Sequence, residues 1–151
     1  MIKNNVVLAL SALIILSCKK EKLTGESKIL VGKWQWVYSM KVANTCNPPT
    51  YTEMLTPQTL GDNYSIHFIE KGKVEFTSNN QITKERITNV YLETDQSSSV
   101  HFQYTFVIFI KTDELMNKLS GLVGEDSLLI RQDFPFVDTD CENYTNYFVR
   151  E

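Results

Sequence analysis

The chain has 151 residues, the length of one ordinary globular domain. Apolar residues make up 42% of it and aromatic residues 11%, which supports a hydrophobic core and excludes an intrinsically disordered chain. The formal charge is −3, and the lysines and arginines are scattered singly along the body, so the sequence shows no basic face for nucleic acid.

The first 17 residues have the pattern of a secretory leader. A short segment that carries Lys3 precedes a run over 6–16 that is apolar except at Ser11. This run is too short to cross a bilayer comfortably as a helix. We therefore expect an exported protein whose leader is removed.

The leader ends in Ile15-Leu16-Ser17-Cys18. These four residues resemble the lipobox that ends bacterial lipoprotein signals, where the cysteine thiol receives a diacylglycerol before cleavage. The resemblance implies lipidation at Cys18, loss of 1–17, and a membrane anchor in which each buried methylene contributes about 0.8 kcal/mol. The alternative is an ordinary secretory leader in which Cys18 is incidental.

Lys19, rather than Asp, follows the cysteine. By resemblance to sorted lipoproteins, this implies passage to the bacterial outer membrane, with the domain facing either the periplasm or the surface. The charged segment that completes 18–28 is expected to be a flexible tether. The folded domain is then expected to cover 29–151.

Alternating apolar and polar residues predict that this domain consists mainly of strands. The first strand, over 30–42, has Trp34, Trp36 and Tyr38 at every second position. A long connection over 44–63 follows, with a short strand embedded at 51–55. Later strands are predicted at 64–69, 74–77, 81–93, 100–111, 128–131 and 144–150.

Two tight turns are predicted, one containing Gly72 and the other Asn79-Asn80, since these residues tolerate positive φ. A short helix is predicted over 113–119, where Leu115 and Leu119 fall at helical spacing after Thr112 as N-cap. Strands joined in series by tight turns favour an all-β fold, a small antiparallel up-and-down barrel of about eight strands with one short helix.

Four motifs carry a wider resemblance. They are Val31-Gly32-Lys33-Trp34-Gln35-Trp36-Val37, Leu55-Thr56-Pro57-Gln58-Thr59-Leu60-Gly61, the hairpin over 66–74 with its Lys71-Gly72-Lys73 turn, and Cys141-Glu142-Asn143-Tyr144 followed by Tyr147 and Arg150. Together they resemble the lipocalin-like domains of small bacterial lipoproteins. The resemblance implies that Arg150 packs over Trp34 and closes the barrel, a cation–π contact of about 0.5–2 kcal/mol. The alternative is a core tryptophan and a solvated arginine.

The two remaining cysteines, Cys46 and Cys141, would lie in an oxidising compartment, where such cysteines tend to pair. Cys46 follows the first strand and Cys141 precedes the last. If those strands are antiparallel neighbours, both cysteines belong at one mouth of the barrel. We therefore predict a disulfide between them.

Eight aromatic residues are candidates for the lining of a ligand cavity. They are Trp34, Trp36, Tyr64, Phe68, Phe76, Phe102, Tyr104 and Phe106. An eight-stranded barrel can hold one small ligand or fill with its own side chains. The large size of these residues favours filling.

The sequence contains no catalytic motif and predicts neither an enzyme nor a cofactor. His67 and His101 point away from the apolar strand faces, so solvated histidines are favoured over a metal pair. The alternating Asp138, Asp140 and Glu142 lack the glycine of a calcium loop and are better explained as a solvated acidic loop. No metal site is predicted.

Two functions remain open at this stage. The first is a membrane-anchored, lipocalin-like lipoprotein that binds a small apolar ligand in its barrel. The second is a structural or interaction module of the cell envelope, with a filled barrel that contacts another envelope protein. They differ in whether the barrel interior has room for a ligand.

Overall fold

The computed structural model describes residues 22–43, 50–95, 101–112, 115–131 and 142–151. These ranges contain nine strands in one antiparallel sheet. The strands are β1 Gly32–Ala43, β2 Thr50–Leu55, β3 Tyr64–Ile69, β4 Lys73–Ser78, β5 Gln81–Thr94, β6 Tyr104–Lys111, β7 Met116–Val123, β8 Ser127–Arg131 and β9 Glu142–Arg150. A 3-10 helix spans Gly25–Leu30, and a short helix, α1, spans Pro57–Leu60.

The sheet closes on itself through its longest-range pairing. One edge of β1 pairs with β9 from Trp34↔Arg150 to Ala43↔Glu142. The other edge pairs first with β3 and then with β2. Eight strands therefore form a closed antiparallel barrel and β2 is an additional strand, which confirms the predicted all-β barrel.

The predicted turns have the backbone that their residues favour. Gly72 lies at φ 74° between β3 and β4, and Asn79 and Asn80 lie at φ 47° and 67° between β4 and β5. Positive φ at both central residues is the geometry of a two-residue hairpin loop whose twist matches that of the strands.

A β-bulge in β1 changes which residues face the interior. The pairing with β9 shifts between Trp36 and Tyr38, so Ser39 rather than Tyr38 follows Trp36 on the inner face. Tyr38 lies outside, stacked on Tyr147 at 5.0 Å between ring centroids. The simple alternation over 34, 36 and 38 was therefore wrong at its third position, because a bulge inserts one extra residue.

We call the end of the barrel beside the 3-10 helix the plugged end, and the end with the Asn79-Asn80 turn the far end. At the plugged end Leu23 and Leu30 are fully buried, and the Leu23 amide donates to the Glu70 carbonyl at 3.1 Å. The folded domain thus begins by Leu23 and not at residue 29. The predicted tether of 18–28 is correspondingly shorter, because Leu23 and the 3-10 helix cover an apolar end that would otherwise meet water.

The helix predicted over 113–119 is wrong. Residues from Met116 onward form β7, which pairs with β6 from Lys111↔Met116 to Tyr104↔Val123. Thr112, the expected N-cap, instead donates to the Leu115 carbonyl and accepts from its amide. The strand is preferred because it places Leu119 and Val123 inside, where they complete the wall between β6 and β8.

Candidate functional site

The interior near the plugged end is filled by the protein's own side chains. Trp34, Phe68, Phe106, Leu128 and Phe148 are each 0% exposed. They alternate with outward residues along their strands, so one face of each strand lines the interior. Burial of such side chains contributes about 1.5–3 kcal/mol each, which makes this half the hydrophobic core.

Arg150 joins the plugged end to the last strand. Its guanidinium lies 4.1 Å from the centroid of the Trp34 ring, in the arrangement that the resemblance implies. It also donates at 2.6 Å to three backbone carbonyls, those of Ile29, Val31 and Glu125. Partial burial lowers the pKa of Arg150 from its ordinary value. The guanidinium thus links both ends of the folded chain around Trp34.

The interior changes character halfway along the barrel. The Trp36 indole N–H donates to the Ser39 hydroxyl at 2.8 Å, and that hydroxyl donates to the Asn146 side-chain oxygen at 2.6 Å. Ser39 and Asn146 are both 0% exposed. Buried polar groups are retained where they are hydrogen-bonded. We call this chain of three residues the polar floor.

Beyond the polar floor, towards the far end, three inward side chains are only partly buried. Phe76 and Tyr144 are half-buried and pack against the core, and Lys41 is half-buried opposite Tyr144 in the β1–β9 register. Tyr64 lies edge-on to Trp36 at 5.4 Å between centroids. The far half therefore contains three aromatic rings and Lys41 in addition to the polar floor.

The pKa of Tyr64, in this half, is displaced from its ordinary value. Burial raises the pKa of its phenol, and the hydrogen bond to Asp62, at 2.9 Å, raises it further because the neutral phenol is the donor. Tyr64 therefore stays a neutral hydrogen-bonding group at physiological pH.

The predicted cavity residues fall into two groups. Trp34, Trp36, Tyr64, Phe68 and Phe106 are buried, whereas Phe76, Phe102 and Tyr104 are half-buried. Phe102 precedes β6 instead of lying within it.

Sequence reasoning missed Ser39, Lys41, Tyr144 and Asn146 as interior residues. The first two were hidden by the β1 bulge. The alternation of Tyr144, Asn146 and Phe148 in the last strand was a usable signal for the others.

Several residues singled out by their sequence pattern lie outside the described residues: Cys18, Cys46, Cys141, Asp138 and Asp140. The strand ends that flank two of them are described, since Ala43 and Glu142 are cross-strand partners. His67 is half-buried 3.5 Å from the Glu75 carboxylate, and His101 is exposed. Among the described residues no three His, Cys, Asp or Glu side chains are grouped to hold a metal ion.

Within the same described ranges, no helix has the length and apolar character needed to cross a membrane. Comparison with protein-family models, with curated proteins and with solved structures finds no match to the chain. The functional argument therefore depends on the chain's own sequence and geometry.

Proposed function

We propose that the protein is a lipid-anchored barrel of the bacterial outer membrane that binds a small, largely apolar molecule in the far half of its interior. The observation that carries this proposal is the division of the interior at the polar floor. Trp34, Phe68, Phe106 and Phe148 towards the plugged end are fully buried, whereas Phe76 and Tyr144 beyond the floor keep part of their surface exposed.

The ligand's chemistry follows from the groups that face it. Aromatic rings of Tyr64, Phe76 and Tyr144 favour an apolar body of the size of a fatty acid or an isoprenoid fragment. We therefore infer a small, largely apolar molecule, in agreement with the apolar ligand that the lipocalin-like resemblance implies.

The anchor is supported by the leader and by where the folded chain begins. Four residues separate Cys18 from Leu23, which is fully buried and near the start of the described residues, so the lipid would lie within about 18 Å of the barrel's plugged end. The far half would then point away from the membrane to which the protein is attached.

The two tryptophans of the chain provide a test of where the ligand binds. Trp36 contributes to the polar floor, whereas Trp34 lies at the plugged end beneath Arg150. A panel of fatty acids and isoprenoids is titrated into the full protein carrying Trp34→Phe or, as the matched control, Trp36→Phe. The proposal predicts saturable emission changes in Trp34→Phe, which retains Trp36, and none in Trp36→Phe.

Absence of any saturable change in both variants would reject the ligand. A change confined to Trp36→Phe, which retains Trp34, would place binding at the plugged end and contradict the proposed site.

A second candidate is an envelope interaction module that holds no small molecule. It is favoured by an apolar area on the outer face of β5 to β7, where Tyr91 is 55% exposed, Met116 58% and Leu115 68%. Tyr91 also packs edge-on against Phe109 at 6.1 Å. This candidate predicts that Met116→Ser and Tyr91→Ser change association with another envelope protein without altering ligand titrations.

A further inference from the structure

Three cations stand directly opposite one another on the outer wall of the barrel. Lys73 on β4 is the register partner of Arg86 on β5, and Arg86 is the register partner of Lys111 on β6. All three side chains are exposed. Adjacent strands lie about 4.8 Å apart, so the three residues fall within a row of about 10 Å. We call them the basic row.

Like charges directly opposite on neighbouring strands destabilise a sheet. The basic row contains two such pairings in succession, and no carboxylate of a described residue lies within ion-pair distance of any of its three side chains. Glu75, two residues after Lys73 on β4, is already bound by Lys84 at 2.7 Å and approached by His67 at 3.5 Å. The row is therefore a concentration of positive charge that the described part of the fold leaves uncompensated.

The row also lines a recess of about 410 Å³, together with Lys84, Glu85 and Thr112. Four cations and one carboxylate thus surround a space large enough for a small ligand. The Thr112 hydroxyl already donates to the Leu115 carbonyl and accepts from the Leu115 amide, so it does not supply a donor to a ligand in the recess.

We propose that this recess binds a phosphate group. Arg86 stands in the middle, where its planar fork matches two oxygens of one phosphate, and the lysines on either side supply point charges for the remaining oxygen and for the second negative charge. A doubly charged phosphate monoester fits three cations offset by the single Glu85 carboxylate better than a singly charged carboxylate does. The site is separate from the barrel interior and does not depend on a ligand there, whereas a lipid headgroup as its source rests on the proposed lipid anchor.

Phosphate of this chemistry can come from a soluble monoester or from the headgroup of an anionic lipid. The start of the described chain lies near one end of the row. The Leu23 amide donates to the carbonyl of Glu70, which lies in the turn that leads into Lys73. A headgroup source is therefore within reach of a lipid-anchored protein. Binding of inorganic phosphate and binding to vesicles that contain phosphatidic acid distinguish the two sources.

The test uses the full chain as isolated from cells, kept in neutral detergent, with lysine acetylation measured at each site by mass spectrometry. Inorganic phosphate is exchanged for chloride at constant ionic strength, and in a second arm the protein is placed in phosphatidylcholine vesicles with or without phosphatidic acid. The expected result is that the anion slows acetylation of Lys73 and Lys111 and leaves acetylation of Lys33 and Lys118 unchanged. Protection by inorganic phosphate identifies a soluble source, and protection only with phosphatidic acid identifies the headgroup.

Arg86→Gln should lower the affinity of the recess for the protecting anion at least ten-fold, because the bidentate contact is lost. Arg131→Gln is the matched control, since Arg131 is exposed on β8 and belongs to neither the row nor the recess. Arg86→Gln should also raise the melting temperature at low salt in chloride, because it removes two like-charge pairings. Arg131→Gln should leave both quantities unchanged.

Asp113 and Glu114 follow Lys111 in the sequence and lie outside the described residues. A variant with Asp113→Asn and Glu114→Gln should bind phosphate at least as tightly as the natural chain. Protection that occurs only in this variant would overturn the proposal, because the row would then be neutralised internally. The proposal would also be overturned if Lys73 and Lys111 were acetylated equally slowly in chloride and in phosphate, or if neither phosphate nor phosphatidic acid protected them.

Discussion

Arg150 is the single residue with the most consequences for the closure of the barrel. It contacts Trp34 and donates to the carbonyls of Ile29, Val31 and Glu125, which belong to the start of the folded chain and to the turn between β7 and β8. A side chain that serves both ends of the chain makes the first and last strands depend on each other. The sequence could predict the Trp34 contact from the family resemblance, but not the three carbonyls, whose orientation depends on the 3-10 helix.

Arg150→Met should lower the free energy of unfolding by about 3 kcal/mol, because it keeps the apolar stem but leaves partly buried carbonyls without their charged donor. Urea denaturation measures the change, and Arg131→Met on the exposed face of β8 is the control. A loss below about 0.5 kcal/mol for Arg150→Met would show that water replaces the guanidinium without cost.

The Glu75 carboxylate makes the stability of the fold depend on pH, mainly through its contact with Lys84. The hydrogen bond from Lys84 is the main cause that lowers the pKa of the Glu75 carboxyl, and His67 adds to it. Because the folded pKa lies below the unfolded one, this carboxylate contributes stability above its unfolded pKa, and the contribution is lost as pH falls through the folded pKa.

Lys84→Met should therefore raise the pKa of Glu75 back towards its ordinary value, as measured by a side-chain NMR titration. Lys118→Met, which removes a lysine from β7, should leave the titration of Glu75 where it is. An unchanged pKa in Lys84→Met would assign the displacement to some other group.

At the scale of elements, β7 shows where pattern reading fails. Leu115, Met116 and Leu119 fit a helical face as well as they fit the end of a strand, because a short apolar set does not distinguish the two periods. The decisive feature is tertiary: Gly121 faces the backbone of β8 so closely that a Cβ would lie 1.8 Å from the Leu129 carbonyl oxygen. The local sequence does not predict this close approach of β7 to the β8 backbone, although a glycine within an apolar strand is compatible with it.

Gly121→Ala should consequently lower the free energy of unfolding by more than about 2 kcal/mol, since a backbone strand has to move to admit one methyl group. Ser120→Ala, one position earlier on the outer face of β7, should change it by less than about 0.5 kcal/mol. Equal effects of the two substitutions in urea denaturation would contradict the close packing of β7 on β8.

β1 gives the opposite lesson, because its existence, its approximate ends and its two buried tryptophans were all predicted. The bulge after Trp36 was missed, and it exchanged Tyr38 for Ser39 on the inner face. That exchange created the polar floor together with Asn146. The fold was thus predictable from alternation and turns, whereas the character of the candidate site depends on one inserted residue that alternation cannot locate.

For the whole molecule, the β1–β9 pairing supports the disulfide predicted between Cys46 and Cys141. Ala43 and Glu142 are cross-strand partners, Cys46 lies three residues beyond Ala43, and Cys141 directly precedes Glu142. A bridge that closes so long a loop would stabilise the fold by about 4–5 kcal/mol in the chain-entropy model.

Thiol labelling of the native, oxidised protein should leave both cysteines unmodified until a reductant is added. The double variant Cys46→Ser, Cys141→Ser should melt at the temperature of the reduced natural chain. Modification of both positions before reduction would contradict the bridge.

The central claim is that this barrel is held at a membrane by a lipid on Cys18 and binds a small molecule beyond its polar floor. Native mass spectrometry of the protein isolated from the membranes of its own cells tests both parts at once. The account predicts the mass of a chain beginning at an acylated Cys18, with an additional small molecule that is lost on denaturation. An unacylated chain would contradict the anchor, and an acylated chain that carries no ligand and takes up none from a panel of fatty acids and isoprenoids would contradict the binding function.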